Sequence, residues 1–70
     1  MEIKGEIGDI IYRNEINSYT VATLINHNEE NIIVGYIPFV NKGDTIKAIG
    51  NFVEHKEYGR QFKVETFEKI

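Results

Sequence analysis

A β-hairpin is predicted by Gly50-Asn51-Phe52-Val53-Glu54-His55-Lys56-Glu57-Tyr58-Gly59-Arg60-Gln61-Phe62-Lys63-Val64-Glu65, which places apolar residues on both sides of a polar turn. After the turn, Phe62 and Val64 alternate with charged residues, as in a strand that buries one face. Gly59 can adopt a positive φ at little cost, so the chain can reverse there. The polar tip holds side chains that could contact an anion or stack on a ring: His55, Lys56, Tyr58, Arg60 and Gln61.

The rest of the chain also favours β-structure, because no window has a sustained helical period. Only the connection from Ile37 to Gly43 has room for a helical turn, with Gly43 as a left-handed terminus. No linker, repeat or low-complexity tract divides the chain, so we expect residues 1–70 to form a single domain. The predicted strands are Ile3 to Arg13, Tyr19 to His27, Asn31 to Ile37, Thr45 to Glu54 and Arg60 to Phe67.

Five strands with the longest connection between the third and fourth are typical of an OB-fold, a small all-β Greek-key barrel. Here the helix that usually fills this connection would be reduced to a short loop. Gly5 and Gly8 would let the first strand coil, and Gly50 would let the fourth strand bend, as closure of a small barrel requires. An SH3-like or open five-stranded barrel is the alternative.

Three motifs follow one another along the chain: Arg13-Asn14-Glu15 with Tyr19-Thr20-Val21, then Gly35-Tyr36-Ile37-Pro38, then His55-Lys56-Glu57-Tyr58-Gly59-Arg60-Gln61-Phe62. Together they resemble the N-terminal OB-like domain of the long-form RecD-like ATP-dependent DNA helicases, which are often described as exodeoxyribonuclease V alpha subunit-like. The resemblance extends from about Lys4 to Lys69.

The resemblance implies that the chain is the N-terminal part of a larger helicase, preceding a helix-hairpin-helix region and two ATPase lobes. Such a parent would use ATP and Mg²⁺ to move 5′ to 3′ on single-stranded DNA and unwind duplexes in DNA repair and recombination. We expect no cofactor within residues 1–70 themselves.

Composition limits the functions that this chain could perform. The net charge is −3, but residues 1–35 carry two basic and six acidic side chains, whereas residues 36–70 carry six basic and five acidic ones. Because phosphate binding needs local positive charge, and Lys56, Arg60 and Lys63 cluster at the last hairpin, any DNA contact made by this domain alone should be weak and local. The absence of cysteine fits a reducing cytoplasm, and no apolar run is long enough for a membrane span.

Catalytic and metal-binding motifs are also missing from the sequence. The segment Lys42-Gly43-Asp44-Thr45 does not have the residue order of a phosphate-binding P-loop, in which glycine is followed by lysine and then serine or threonine. It also leads into a predicted strand, whereas a P-loop leads into a helix. His27 and His55 lie in different loops with no carboxylate at ligand spacing. We therefore expect neither enzymatic activity, nor a metal site, nor a small-molecule substrate from this chain.

An OB-fold binds ligands on the outer side of strands two and three, flanked by the loops between strands one and two and between strands four and five. Aromatic residues there could stack on bases, and Arg13, Lys56 and Arg60 could pair with phosphates. The simpler interpretations are that Arg13 holds its loop, that Lys63 forms a solvated cross-strand pair, and that all four phenylalanines are core or barrel-end residues. The candidate contact residues are Arg13, Asn17, Tyr19, Tyr36, His55, Lys56, Tyr58, Arg60 and Gln61.

Three functions are compatible with the sequence. The first is an accessory module of a RecD-like helicase that contacts single-stranded DNA weakly or docks on the helicase's own domains. The second is a protein-interaction barrel that binds a replication or repair partner. The third is a stand-alone RNA-binding OB protein, which is the weakest because the aromatic signature of such proteins is absent.

Overall fold

Alternating apolar residues place five strands around one core in the computed structural model, which describes all residues from Met1 to Ile70. The strands close into a barrel in the order β1-β2-β3-β5-β4, and no helix is present that could span a membrane. The predicted all-β OB-like barrel is therefore confirmed. The strands are β1 (Glu2–Arg13), β2 (Tyr19–Asn26), β3 (Glu29–Tyr36), β4 (Thr45–His55) and β5 (Gly59–Lys69).

Strand β1 belongs to both halves of the barrel. Its first residues pair with β4, from Glu2 opposite Ile49 to Glu6 opposite Thr45, and its later residues pair with β2. The two pairings overlap at Glu6, and a Cβ atom on the preceding Gly5 would collide with the carbonyl oxygen of Ile25. Glycine is thus required for the close approach of the two strands, as barrel coiling predicts.

The barrel closes through a short parallel contact between β3 and β5, where Ile33 and Val34 lie beside Phe62 and Lys63. The β4–β5 hairpin has a bulge after Ile49, and a Cβ atom on Gly50 would meet the carbonyl oxygen of Lys63. The bend predicted at Gly50 is therefore present, and backbone contact explains why no side chain fits there.

The core contains the inward-facing residues of every strand. Phe62 is fully buried at its centre and meets Phe52 edge to face, with ring centroids 5.0 Å apart. Burial of a side chain of this size stabilises the fold by about 1.5–3 kcal/mol. The other core residues are Ile3, Ile7, Ala22, Leu24, Ile33, Ile37, Val40, Ile46, Ala48 and Val64, with Ile10, Phe52 and Phe67 packed against them.

The β2–β3 connection differs from the prediction. Strand β3 begins at Glu29, two residues earlier than expected, because His27 and Asn28 both have positive φ, 51° and 65°, and form a two-residue hairpin turn. The β3–β4 connection contains turns and no helix, which agrees with the predicted reduction to a short loop. Two hydrogen bonds between Asn41 and Asp44 hold its backbone. The backbone N–H of Asn41 donates to Asp44 Oδ2 at 2.8 Å, and the backbone N–H of Asp44 donates to the carbonyl oxygen of Asn41.

Phe39 is the exception among the four phenylalanines. It lies in the loop at the barrel end, but its side chain is 82% exposed, and its φ of 63° is in the left-handed region. Of the two interpretations of Phe39, a core residue or a barrel-end residue, the structure supports the second, because Phe39 is exposed beside Val40, which is buried in the core.

Candidate nucleic-acid interface

A cleft of about 570 Å³ lies on the outside of the barrel, over β2 and β3. Because side chains alternate along a strand, the residues that flank the buried Ala22 and Ile33 face outward. Val21 and Val34 are direct partners across β2 and β3 and form its floor. The cleft is lined by Ile11, Tyr12, Tyr19, Val21, Ile32, Val34, His55, Tyr58 and Gln61. We call this surface the tyrosine cleft.

All four tyrosines of the chain lie at this surface. Tyr12, Tyr19 and Tyr58 line the cleft, and Tyr36 extends it by an edge-to-face contact with Tyr19 at a centroid distance of 5.4 Å. Tyr12, Tyr36 and Tyr58 are 51%, 65% and 71% exposed, so their rings are accessible to a ligand. Exposed rings on an apolar floor can stack with nucleobases or pack against apolar side chains of a protein.

The β4–β5 turn orients the tyrosine at its tip. His55 Nδ1 accepts hydrogen bonds from the backbone N–H groups of Glu57, at 3.1 Å, and Tyr58, at 3.3 Å. The His55 and Tyr58 rings lie 4.8 Å apart at 33°. Since Nδ1 is an acceptor, the proton of the neutral imidazole is assigned to Nε2. His55 therefore shapes the turn as well as lining the cleft.

The loop between β1 and β2 is held by its own asparagines. Asn14 Oδ1 accepts the backbone N–H of Ile16 at 2.8 Å, and Asn17 Oδ1 accepts that of Tyr19 at 3.0 Å. Such short-range bonds are those that asparagine makes in turns. The Asn17 side chain is thus used to fix the start of β2, where Tyr19 enters the cleft.

Charged residues are absent from the cleft lining. Arg60 is the neighbour of Gln61 on β5, so it points to the other side of the hairpin, where its guanidinium carbon lies 3.8 Å from the Phe52 ring centroid. Arg13 faces the barrel end: its Nε donates to Thr20 Oγ1 at 3.3 Å and its Nη2 to the carbonyl oxygen of Val40. Lys56 is exposed in the turn beside the cleft.

The structure therefore divides the predicted contact residues. It brings Tyr19, His55, Tyr58 and Gln61 together in the cleft and places Tyr36 at its border, whereas Arg13, Asn17 and Arg60 lie outside the lining and make contacts within the chain. Sequence reasoning missed the residues Ile11, Tyr12, Val21, Ile32 and Val34. For those on β2 and β3, a signal existed, since each lies two residues from another outward-facing residue.

The electrostatic features of the protein lie away from the cleft. The backbone N–H of Asn41 lowers the pKa of Asp44, with a smaller contribution from Lys69, whose Nζ is 3.3 Å from Asp44 Oδ2. A hydrogen bond from Lys47 to Glu68, at 2.9 Å, raises the pKa of Lys47. No group of three or more His, Cys, Asp or Glu side chains could hold a metal ion.

Comparison with known proteins gives a match over the whole chain. The model of a protein family described as "ATP-dependent DNA helicase YrrC, OB-fold domain" covers residues 1–70. The match agrees with the observed five-stranded barrel. It identifies the module as an accessory domain, which is distinct from the ATPase part of such a helicase.

Proposed function

Because the chain belongs to this family of helicase OB-fold domains, we propose that its tyrosine cleft contacts single-stranded DNA while the helicase works. The observation that carries the proposal is the convergence of Tyr12, Tyr19 and Tyr58 on an uncharged cleft over β2 and β3. This is the face that OB-folds use for oligonucleotides. The bound strand would place unpaired bases against the rings and leave its phosphates toward solvent.

The chemistry of the lining sets the expected affinity. Stacking of a base on an aromatic side chain contributes about 1–3 kcal/mol, whereas the lining offers no cation for phosphates. Only Lys56 and Lys63 lie beside the cleft with no ion-pair partner within the chain. We therefore expect binding in the range of non-specific complexes, a Kd of about 10⁻⁴ to 10⁻⁶ M, with a modest dependence on salt.

The parent protein is proposed to be a RecD-like, exodeoxyribonuclease V alpha-like helicase of the cytoplasm, acting in repair and recombination. Its ATP and Mg²⁺ would be bound by domains other than residues 1–70. This proposal is supported by the three motifs that end in Phe62 and by the family match. Because the family is that of a helicase domain, a stand-alone RNA-binding protein is the less favoured alternative.

The test is fluorescence anisotropy of a labelled oligothymidylate titrated with the 70-residue domain at several salt concentrations. Tyr58→Ala and Tyr12→Ala should each weaken binding by about 1–3 kcal/mol, with little change in the salt slope. Phe39→Ala is the matched control, because it removes an exposed aromatic ring outside the cleft. Equal losses in all three variants, or an affinity for RNA above that for DNA, would contradict the proposal.

The second candidate is a protein ligand for the same cleft, either a replication or repair partner or the helicase's own domains. It is favoured by one observation, the absence of charge among the lining residues. Absence of DNA binding by the wild-type domain at low salt would reject the first candidate. The cleft would then be assigned to protein docking.

A further inference from the structure

Phe39 combines two features that a bulky residue rarely has together. Its side chain is 82% exposed, and its backbone has a φ of 63°, in the left-handed region that disfavours residues with a Cβ atom. Neither feature stabilises the domain. A residue that is held in a strained conformation without being packed is a candidate for a function outside the fold.

The strain is maintained by anchors on both sides of Phe39. Ile37 and Val40 are buried in the core, with 0% and 1% of their surface exposed, and the chain between them must leave the barrel and return. Lys69 Nζ donates to the carbonyl oxygen of Phe39 at 2.9 Å, and Arg13 Nη2 donates to that of Val40. Pro38, with its fixed φ, stiffens the approach. The ring of Phe39 is therefore presented from a rigid loop.

A second exposed apolar residue lies in the adjoining loop. Ile16, between β1 and β2, is 96% exposed. Its loop is tied to that of Phe39 by a hydrogen bond of 3.2 Å from the backbone N–H of Ile37 to the carbonyl oxygen of Ser18. Ile16 and Phe39 therefore project from neighbouring loops at the same end of the barrel.

The charges at this end favour a protein partner over a nucleic acid. The cations in and beside these loops are engaged within the chain: Lys42 lies 3.4 Å from Asp9, Lys69 lies 3.3 Å from Asp44, and Arg13 donates to the carbonyl oxygen of Val40. The loop of Ile16 also carries Glu15, which would repel phosphates. Rigid aromatic anchors with few free charges are typical of the centre of a protein interface.

We propose that Phe39 and Ile16 form a docking surface that inserts into an apolar socket on the ATPase part of a helicase of this family. This goes beyond the DNA contact proposed above, because it assigns a second surface of the domain to a protein partner. It depends on the family match and not on the tyrosine cleft. Docking here would leave the cleft open to a strand of DNA, because Phe39 and Ile16 are not among its lining residues.

The experiment measures binding of the 70-residue domain to the ATPase domains of a helicase of this family, expressed without their own OB-fold domain, by calorimetry. The wild-type domain should bind. Phe39→Ala should weaken binding by about tenfold or more, and Ile16→Ala by a smaller factor. Tyr58→Ala, the cleft variant, should bind as the wild type does.

Phe39→Gly separates docking from folding. Glycine tolerates the left-handed conformation, so this variant should unfold at the same temperature as the wild type or higher, yet lose docking as Phe39→Ala does. Wild-type domain that fails to bind the ATPase domains, or Phe39 variants that bind as tightly as wild type, would overturn the proposal. A marked loss of thermal stability in Phe39→Gly would also overturn it, by showing that the ring supports the fold. DNA anisotropy on the same samples reports separately on the tyrosine cleft.

Discussion

His55 Nδ1 accepts the backbone N–H of Tyr58 at 3.3 Å, and the two rings lie 4.8 Å apart, so the residue that closes the β4–β5 turn also positions the exposed tyrosine. His55→Phe keeps a ring beside Tyr58 but removes the acceptor. Because the turn is exposed, we expect a loss of about 0.5–1.5 kcal/mol in the free energy of unfolding. Faster hydrogen exchange at the amides of Glu57 and Tyr58, measured by NMR, would locate the change in the turn.

The matched control for this variant is Lys56→Ala, in the same turn. It should leave exchange at those amides unchanged, since the side chain of Lys56 makes no hydrogen bond within the chain. Equal exchange rates in His55→Phe and wild type would show that the imidazole does not hold the turn.

Gly50 and Gly43 differ in what opposes a substitution by alanine: a steric clash at Gly50 and only backbone strain at Gly43. At Gly50 the new atom would strike the carbonyl oxygen of Lys63, so Gly50→Ala must displace the backbone at the β4 bulge. We expect a loss well above the typical 1–3 kcal/mol of overpacking, to about 4 kcal/mol or more. At Gly43 there is open space and only the strain of a φ of 93°, so Gly43→Ala should cost about 1 kcal/mol. Urea denaturation followed by circular dichroism measures both, and a smaller loss at Gly50 than at Gly43 would contradict the steric argument.

Much of the fold follows from local sequence because its signals agree. The alternation of the apolar residues Phe62 and Val64 with charged residues determines which face of β5 is buried. Gly50 lies at the bulge where β4 must bend. The same alternation, applied outward from Phe62, already places Arg60 and Gln61 on opposite sides of the hairpin. The expectation that both belong to one contact surface did not apply this alternation, although the predicted strand already began at Arg60 and β5 begins at Gly59.

Other parts of the surface depended on irregularities that sequence does not show. Strand β1 shifts register twice, between Ile7 and Ile10 and between Ile10 and Tyr12, so counting residues along it does not predict that both Ile11 and Tyr12 line the cleft. The exposure of Phe39 requires a left-handed backbone at a residue that normally avoids it. Only tertiary anchors, here Lys69 and Arg13, determine such a conformation.

Arg13 tests whether a candidate DNA contact is instead a structural residue. Its guanidinium joins Thr20 and the carbonyl oxygen of Val40, linking the end of β1 to the β3–β4 connection. Arg13→Met keeps most of the aliphatic length and removes these donors, and hydrogen bonds from charged groups contribute about 1.5–3 kcal/mol. We expect a loss of that size in urea denaturation and unchanged DNA affinity per folded molecule. If Arg13→Met instead binds DNA more weakly and has unchanged stability, Arg13 would be a DNA-contact residue and not a structural one.

Asp44 gives the domain a dependence of stability on pH. The backbone N–H of Asn41 and the ammonium of Lys69 lower the pKa of the Asp44 carboxyl in the folded protein below its ordinary value of 3.8. A lowered folded pKa means that the stabilisation is present above pH 3.8 and is lost as the pH falls through the folded value. Asp44→Ala should therefore unfold at a lower temperature than wild type near neutral pH.

The difference between Asp44→Ala and wild type should shrink as the pH is lowered below 3.8, because the wild-type carboxyl then becomes protonated. Thermal unfolding between neutral pH and about pH 2 measures this convergence. Glu57→Gln, in the exposed hairpin turn, is the control for removing one carboxylate and should follow the wild type throughout. A gap between Asp44→Ala and wild type that stays constant with pH would show that the charge of Asp44 is not what stabilises the loop.

Arg60 and Lys63 are two cations of the hairpin for which we expect different roles: Lys63 contacts DNA phosphate, and Arg60 stabilises the fold through the Phe52 ring. Arg60 lies over the Phe52 ring on the side away from Gln61, whereas Lys63 follows Gln61 by two residues and pairs with Val34, which lines the cleft. If DNA occupies the tyrosine cleft, Lys63→Ala should reduce the slope of log K against log salt by about one phosphate contact. Arg60→Ala should leave the slope unchanged and cost about 0.5–1 kcal/mol of stability through the lost cation–π contact. Anisotropy titrations and urea denaturation on the same two variants measure both quantities. The reverse result, a reduced slope for Arg60→Ala alone, would place the DNA on the Phe52 side of the hairpin and reject the cleft as its binding surface.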